Sequence, residues 1–90
     1  MMLEREITII NKLGLHARAA SKLVNCASSF SAEVWIIRGG REINGKSIMG
    51  VLTLAAGKGT VLTIRTSGED EQHAMAGVLQ LINDRFDEDE

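Results

Sequence analysis

The chain has no proline and no tyrosine, one cysteine and only three aromatic side chains, Phe30, Trp35 and Phe86. Each scarcity excludes something. Lone Cys26 cannot close an internal disulfide, and it has no second cysteine or histidine at metal-ligand spacing. No metal site is therefore expected, and Cys26 reads as a partly buried helix residue in a reducing, cytoplasmic compartment. Three aromatics are too few for a base-stacking platform, and a net charge of −2 lacks the basic footprint of a nucleic-acid binder. No apolar run approaches the roughly 20 residues of a membrane span. The opening Met1-Met2-Leu3-Glu4-Arg5-Glu6 is charged and has no signal-peptide core. No membrane insertion is expected. Neither a linker nor an internal repeat is visible.

What the chain does have is a regular alternation of strand-like and helix-like segments. Its 90 residues, 44% of them apolar, suit a single domain over 1–90, expected to be a monomer. A β-branched run predicts strand one over about Arg5 to Ile10. Apolar spacing at Ala17, Ala20, Leu23, Val24 and Ala27 predicts helix one over Ala17 to Ser28. Glu33 to Arg38 reads as strand two, and Gly39-Gly40 as a hairpin turn returning Arg41 to Asn44 as strand three. A short second helix is expected from Ser47 to about Leu54, with Ser47 as its N-cap. Thr60 to Thr66 alternates as strand four. From Glu69 onward, Met75, Val78, Leu79, Ile82 and Phe86 mark one face of a third helix, followed by a frayed acidic tail, Asp87 to Glu90. The order βαββαβα predicts an α+β fold with helices on one face of a four-stranded antiparallel sheet.

Chemistry concentrates at Gly14-Leu15-His16-Ala17-Arg18, between the first strand and the first helix. Gly14 is read as a flexible hinge. His16 falls at a helix N-terminus, where unpaired amides and the dipole favour an anion. Arg18 adds a fixed charge whose donors suit phosphate oxygens, and a neutral imidazole can carry a phosphoryl group covalently. Taken singly, His16 is a solvated loop residue or a weak cap, and Arg18 an ordinary surface arginine. His73, beside Gln72, reads as a plain surface residue.

Leu13-Gly14-Leu15-His16-Ala17-Arg18 resembles the active-site segment of HPr, the histidine phosphocarrier of the bacterial phosphotransferase system. Lys46-Ser47-Ile48-Met49-Gly50-Val51 is similar to that family's regulatory-serine segment, and the likeness covers essentially the whole chain. One departure is Ala19, where the family usually has proline. Alanine keeps the helix and changes how rigidly its first turn is held. The resemblance implies an open-faced β-sandwich. It also implies that His16 takes a phosphoryl group on Nδ1 from phospho-Enzyme I, charged from phosphoenolpyruvate, and passes it to EIIA-type acceptors. Arg18 and the backbone amides of Ala17 and Arg18 would neutralise the phosphoryl charge. A labile phosphohistidine calls for an exposed site. No cofactor is implied.

Ser47 caps a helix on any reading, as an exposed hydroxyl that satisfies an orphan amide. The resemblance adds modification by an HPr kinase/phosphorylase, placing nearly two negative charges at that helix start. If Val51 and Leu54 face the sheet, Ile48, Met49 and Leu52 are left near the surface. There they either finish the core under a loop or, as the resemblance implies, dock partners. Other functions weigh less. A regulatory phosphocarrier of a nitrogen-related branch generally lacks the Ser47 segment. A ferredoxin-like binding module would want a basic aromatic sheet or a Cys-x-x-Cys pair. A stand-alone enzyme would need a second catalytic group and a substrate pocket.

Overall fold

A computed structural model describes residues 2–90. Its elements run β1 Met2–Thr8, α1 Ala17–Ser28, β2 Glu33–Arg38, β3 Arg41–Asn44, α2 Ile48–Thr53, β4 Val61–Ser67 and α3 Glu71–Asn83, with a 3-10 turn at Arg85–Asp87. The four strands form one antiparallel sheet in the order β1-β4-β2-β3. The long central strand β4 pairs with β1 on one side and β2 on the other, so Arg65 lies opposite both Glu4 and Trp35. The three helices share one face of the sheet, and the fold is the expected α+β open-faced sandwich.

Alternation along the strands decides which face is covered. Ile7, Val34, Ile36, Leu62 and Ile64 point inward and are buried. Burying an aliphatic side chain of this size contributes about 1.5–3 kcal/mol, so this row anchors the helices. The bare face carries charge instead, where Arg65 donates to Glu4 at 2.8 Å and also pairs with Glu42. At the hairpin, Gly39 and Gly40 both take positive φ, as a two-residue turn with the right twist requires.

Several local expectations change. Strand β1 runs Met2–Thr8 instead of Arg5 to Ile10, because its pairing with β4 begins at Met2 and stops at Thr8. On α1 the covered residues are Ala19, Ala20, Leu23 and Ala27, while Ala17 is exposed and Val24 half-buried. The helix axis is thus rotated so that Ala19, at the family's proline position, is fully enclosed. Helix α2 is shorter than Ser47 to Leu54, with Leu54 as C-cap. Helix α3 begins at Glu71, because Gly68 at φ 143° and a turn precede it. Phe86 is not on that helix.

The largest difference is the tail. Arg85, Phe86 and Asp87 all have left-handed φ, of 57°, 54° and 62°. Each such non-glycine residue costs about 1 kcal/mol or more, so tertiary contacts must hold the reversal. Phe86 is completely buried, and Lys22 Nζ donates to its carbonyl at 2.7 Å. Lys12 pairs with Glu90 at 3.2 Å and its amide donates to the Glu90 carbonyl. Far from fraying, the acidic end folds back across the loop before α1.

Candidate functional site

The site lies where β1 gives way to α1. Gly14 is not a hinge: its φ is +67°, and a Cβ there would stand 2.5 Å from the Ala56 carbonyl oxygen and 2.7 Å from Gly57 Cα. Leu15 N–H donates to that same carbonyl at 2.8 Å. The loop is therefore clamped against the segment after α2, and only glycine fits the close approach.

His16 then takes extended backbone angles, φ −75° and ψ 177°, and becomes the N-cap of α1. Its carbonyl accepts from Ala20 N–H at 2.8 Å, and its Nδ1 accepts from Arg18 N–H at 3.3 Å. A first-turn amide has no partner one turn back, so the ring nitrogen fills that vacancy. The imidazole is 27% exposed. Ala17 and Arg18 lie in the first turn and are exposed, and Arg18 lines an open groove of about 470 Å³ with Lys12, Leu13, Lys22 and the tail. His16, Ala17 and Arg18 are thus brought together as the motif implied.

Two further residues complete the site. Glu88, from the tail, contacts Nε2 of His16 through Oε2. Its Oε1 accepts from Asn11 Nδ2 at 3.0 Å. Asn11 is entirely buried and also donates to the Gly14 carbonyl at 2.9 Å, while its own Oδ1 has no partner among the described residues. Desolvation pushes the Glu88 carboxyl up, but the hydrogen bonds from Asn11 and His16 and the charges of His16 and Lys22 outweigh it, leaving it below its ordinary range. Sequence reasoning missed both residues. Asn11 lies just past the strand expected to end at Ile10 and Glu88 within the tail expected to fray, and no periodicity links positions so far apart.

The second motif stands apart at α2. Ser47 is extended, with φ −109° and ψ 113°, and its Oγ accepts from Gly50 N–H at 3.2 Å. It is a true N-cap, half-buried where full exposure was expected. Val51 and Leu54 are buried, while Ile48, Met49 and Leu52 are exposed, Met49 by 70%. Leu13, which carried no signal beyond the motif, is exposed by 66% on the loop before His16. Lys46 is turned away, its Nζ donating to the Phe30 carbonyl at 2.8 Å. Cys26 is half-buried, and burial pushes its thiol up; His73 is exposed. Among the described residues no cluster of histidine, cysteine and acidic side chains has metal-binding geometry, and no helix is long and apolar enough to cross a membrane.

The family model for the PTS HPr component phosphorylation site matches residues 3–84. The phosphocarrier protein HPr of Cupriavidus necator is 55% identical over 89 residues, covering 99% of this chain and all of that one. The phosphocarrier protein NPr of Shewanella violacea is 44% identical over 86 residues, covering 96% of this chain and 94% of the other. Among solved structures, HPr-C-His from Thermoanaerobacter tengcongensis superposes with a TM-score of 0.94 at 39% identity, covering 98% of this chain and 99% of that one. The chain belongs to the HPr family, phosphocarriers of the phosphotransferase system rather than catalytic enzymes.

Proposed function

For this HPr-family phosphocarrier, we propose that His16 is the residue that carries the phosphoryl group. It would receive the group from phospho-Enzyme I and pass it to EIIA-type acceptors in the cytoplasm. The observation that carries this reading is the ring's position at the start of α1, with Nδ1 facing the Arg18 amide at 3.3 Å. When Nδ1 attacks phosphorus, that weak bond is released and the amide becomes a donor to a phosphoryl oxygen. Arg18, exposed in the same turn, supplies the fixed charge. Such positioning and neutralisation are what phosphoryl transfer asks of a protein.

Ser47 is proposed as a regulatory site for an HPr kinase/phosphorylase, with Ile48, Met49 and Leu52 forming the partner surface beside it. Support comes from the Lys46-Ser47-Ile48-Met49-Gly50-Val51 segment and from the exposure of all three apolar side chains. The match to an NPr keeps a nitrogen-related regulatory role in view. Higher identity to HPr and the Ser47 segment favour the sugar-transport branch.

The test is incubation with phosphoenolpyruvate and Enzyme I, followed by intact mass. The wild-type chain should gain one acid-labile, base-stable phosphoryl group. His16→Ala should gain none, at a cost in stability of about 1 kcal/mol for the lost cap. Uptake by the alanine variant at the wild-type rate would remove His16 from the role.

A further inference from the structure

The hairpin between β2 and β3 closes on two like charges. Arg38 and Arg41 stand directly opposite each other in the register, a pairing that repels unless something else takes up the charge. The end of α2 takes it up. Arg41 donates through Nη1 to the Thr53 carbonyl at 3.1 Å and through Nη2 to the Thr53 hydroxyl at 3.0 Å. Arg38 donates through a single nitrogen, Nη1, to the Leu54 carbonyl at 2.6 Å and the Ala55 carbonyl at 3.1 Å. The last carbonyls of a helix lack backbone partners and carry its negative dipole end, so two guanidinium groups suit them.

The segment held in this way runs straight to the His16 loop. The Val51 and Leu52 carbonyls accept from Leu54 and Ala55 N–H, both at 3.2 Å, and the Ala56 carbonyl accepts from Leu15 N–H at 2.8 Å. Every carbonyl from Val51 to Ala56 therefore has a donor, and Arg38 serves two of them. One of the two belongs to a bend. Ala55 is exposed and sits at φ 50°, a left-handed conformation that a residue with a side chain keeps only when its surroundings hold it. Just past that bend, the Ala56 carbonyl meets the residue before His16.

From this row we propose that Arg38 is a positioning residue for His16, acting through the Ala55 bend and the Ala56 carbonyl. The inference rests on the reading of His16 as the carrier. Once Ala55 relaxes from left-handed φ, the Ala56 carbonyl moves, and the Leu15 amide must follow it or lose its bond. Nothing flexible intervenes, because a Cβ at Gly14 would stand 2.5 Å from that same oxygen. A reacting group displaced by about 1 Å can lose about 100-fold in rate, so even a partial shift is visible in transfer. Because both Arg38 contacts come from one nitrogen, a lysine ammonium, with three donors at one point, can replace them. Arg38→Lys is thus a conservative change here, as it would not be at a forked contact.

The test compares the whole chain with Arg38→Ala and Arg38→Lys by two measurements. Hydrogen exchange at the Leu15 amide reads the link itself. In Arg38→Ala it should quicken about tenfold, while the Ile36 and Leu62 amides keep their wild-type rates. In single-turnover uptake from phospho-Enzyme I, the saturating rate of Arg38→Ala should fall about fivefold at an unchanged half-saturating concentration. Arg38→Lys should match the wild type in both. Wild-type exchange and rate in Arg38→Ala would overturn the proposal, as would a lysine variant as impaired as the alanine one. Faster exchange spread evenly over Leu15, Ile36 and Leu62 would overturn it by making Arg38 a structural residue only. A raised half-saturating concentration with the rate unchanged would overturn it by making Arg38 a docking contact. Leu15 exchange needs no phosphoryl donor, so the two readings fail separately: a wild type not phosphorylated on His16 overturns the carrier reading and the positioning role with it, whereas unchanged Leu15 exchange overturns the role of Arg38 alone.

Discussion

Helices α1 and α2 begin with the same local device and are set in different surroundings. His16 and Ser47 both hold extended backbone angles, and each side chain accepts a hydrogen bond from an amide in its own first turn. Behind His16, however, stand Asn11 and Glu88, so both ring nitrogens are engaged. Among the described residues no such second partner backs Ser47: its flanks are exposed Ile48 and Met49 and a lysine committed elsewhere. Capping alone therefore separates neither site from an ordinary helix start. What differs is the second tier, a polar row directed at the atom behind the cap in one case and an apolar surface beside it in the other. The first arrangement suits chemistry on the capping side chain. The second suits a partner that reads the side chain's charge.

The strongest way to break this contrast is to loosen the loop that aims His16 while leaving the histidine in place. Gly14→Ala forces a Cβ against the Ala56 carbonyl and Gly57 and imposes left-handed φ on a side chain. Backbone atoms cannot give way cheaply, so a loss of about 2–4 kcal/mol is expected, measured by urea unfolding. Phosphoryl uptake should fall with it, while the α2 region keeps its hydrogen-exchange protection. A loss below about 0.5 kcal/mol would mean the loop is the hinge that its sequence suggests, and the preorganisation argument would fail.

At α2 the expected effect is smaller and falls on binding. Ser47→Asp keeps an acceptor for the Gly50 amide and adds charge beside Ile48 and Met49. Its melting temperature should stay near wild type, whereas Ser47→Ala should lose about 1 kcal/mol with the cap. Affinity for Enzyme I should drop about tenfold for the aspartate variant, by titration calorimetry. Equal affinity of wild type and Ser47→Asp, together with normal docking by the phosphorylated protein, would leave Ser47 as a cap only.

How far these features could be read in advance depends on how local their causes are. β2, β3 and the extent of α1, though not its buried face, fall where hydrophobic period and turn glycines place them, because those signals act within a few residues. The His16 and Ser47 caps were legible for the same reason. Glu88 was not. A run of four acidic residues has no apolar period, and only the closed fold shows that burying Phe86 at left-handed φ reverses the chain. Asn11 likewise gains meaning only from the Gly14 carbonyl and the tail that meet it. Gly14 was visible, but its clamp came from residues near 56, so freedom was expected where the fold imposes a close contact.

The third helix offers a control and the smallest expected effect. Asp70 sits at the N-cap position of α3 but makes no side-chain bond to its own helix. Its carboxylate instead accepts from Ser31 N–H at 2.9 Å and Ala32 N–H at 2.7 Å, tying the start of β2 to the start of α3. The Ser31 amide is the main influence holding this carboxyl below its usual value of 3.8, reinforced by Ala32 and Lys46 and opposed by desolvation. A depressed carboxyl stabilises the fold fully above the unfolded value and ceases to do so as pH falls through the folded one. The wild type should therefore lose stability as pH drops below 3.8. Asp70→Asn keeps one acceptor but presents an amide group to the second backbone donor. It should be weaker at neutral pH, and its stability should change less steeply in that acidic window. Urea titrations of both proteins from neutral pH down to about pH 2 measure the two slopes. Parallel slopes would show that the Asp70 charge does no work at this helix start. The ordering of His16, Ser47 and Asp70 by what stands behind each would then rest on the first two alone.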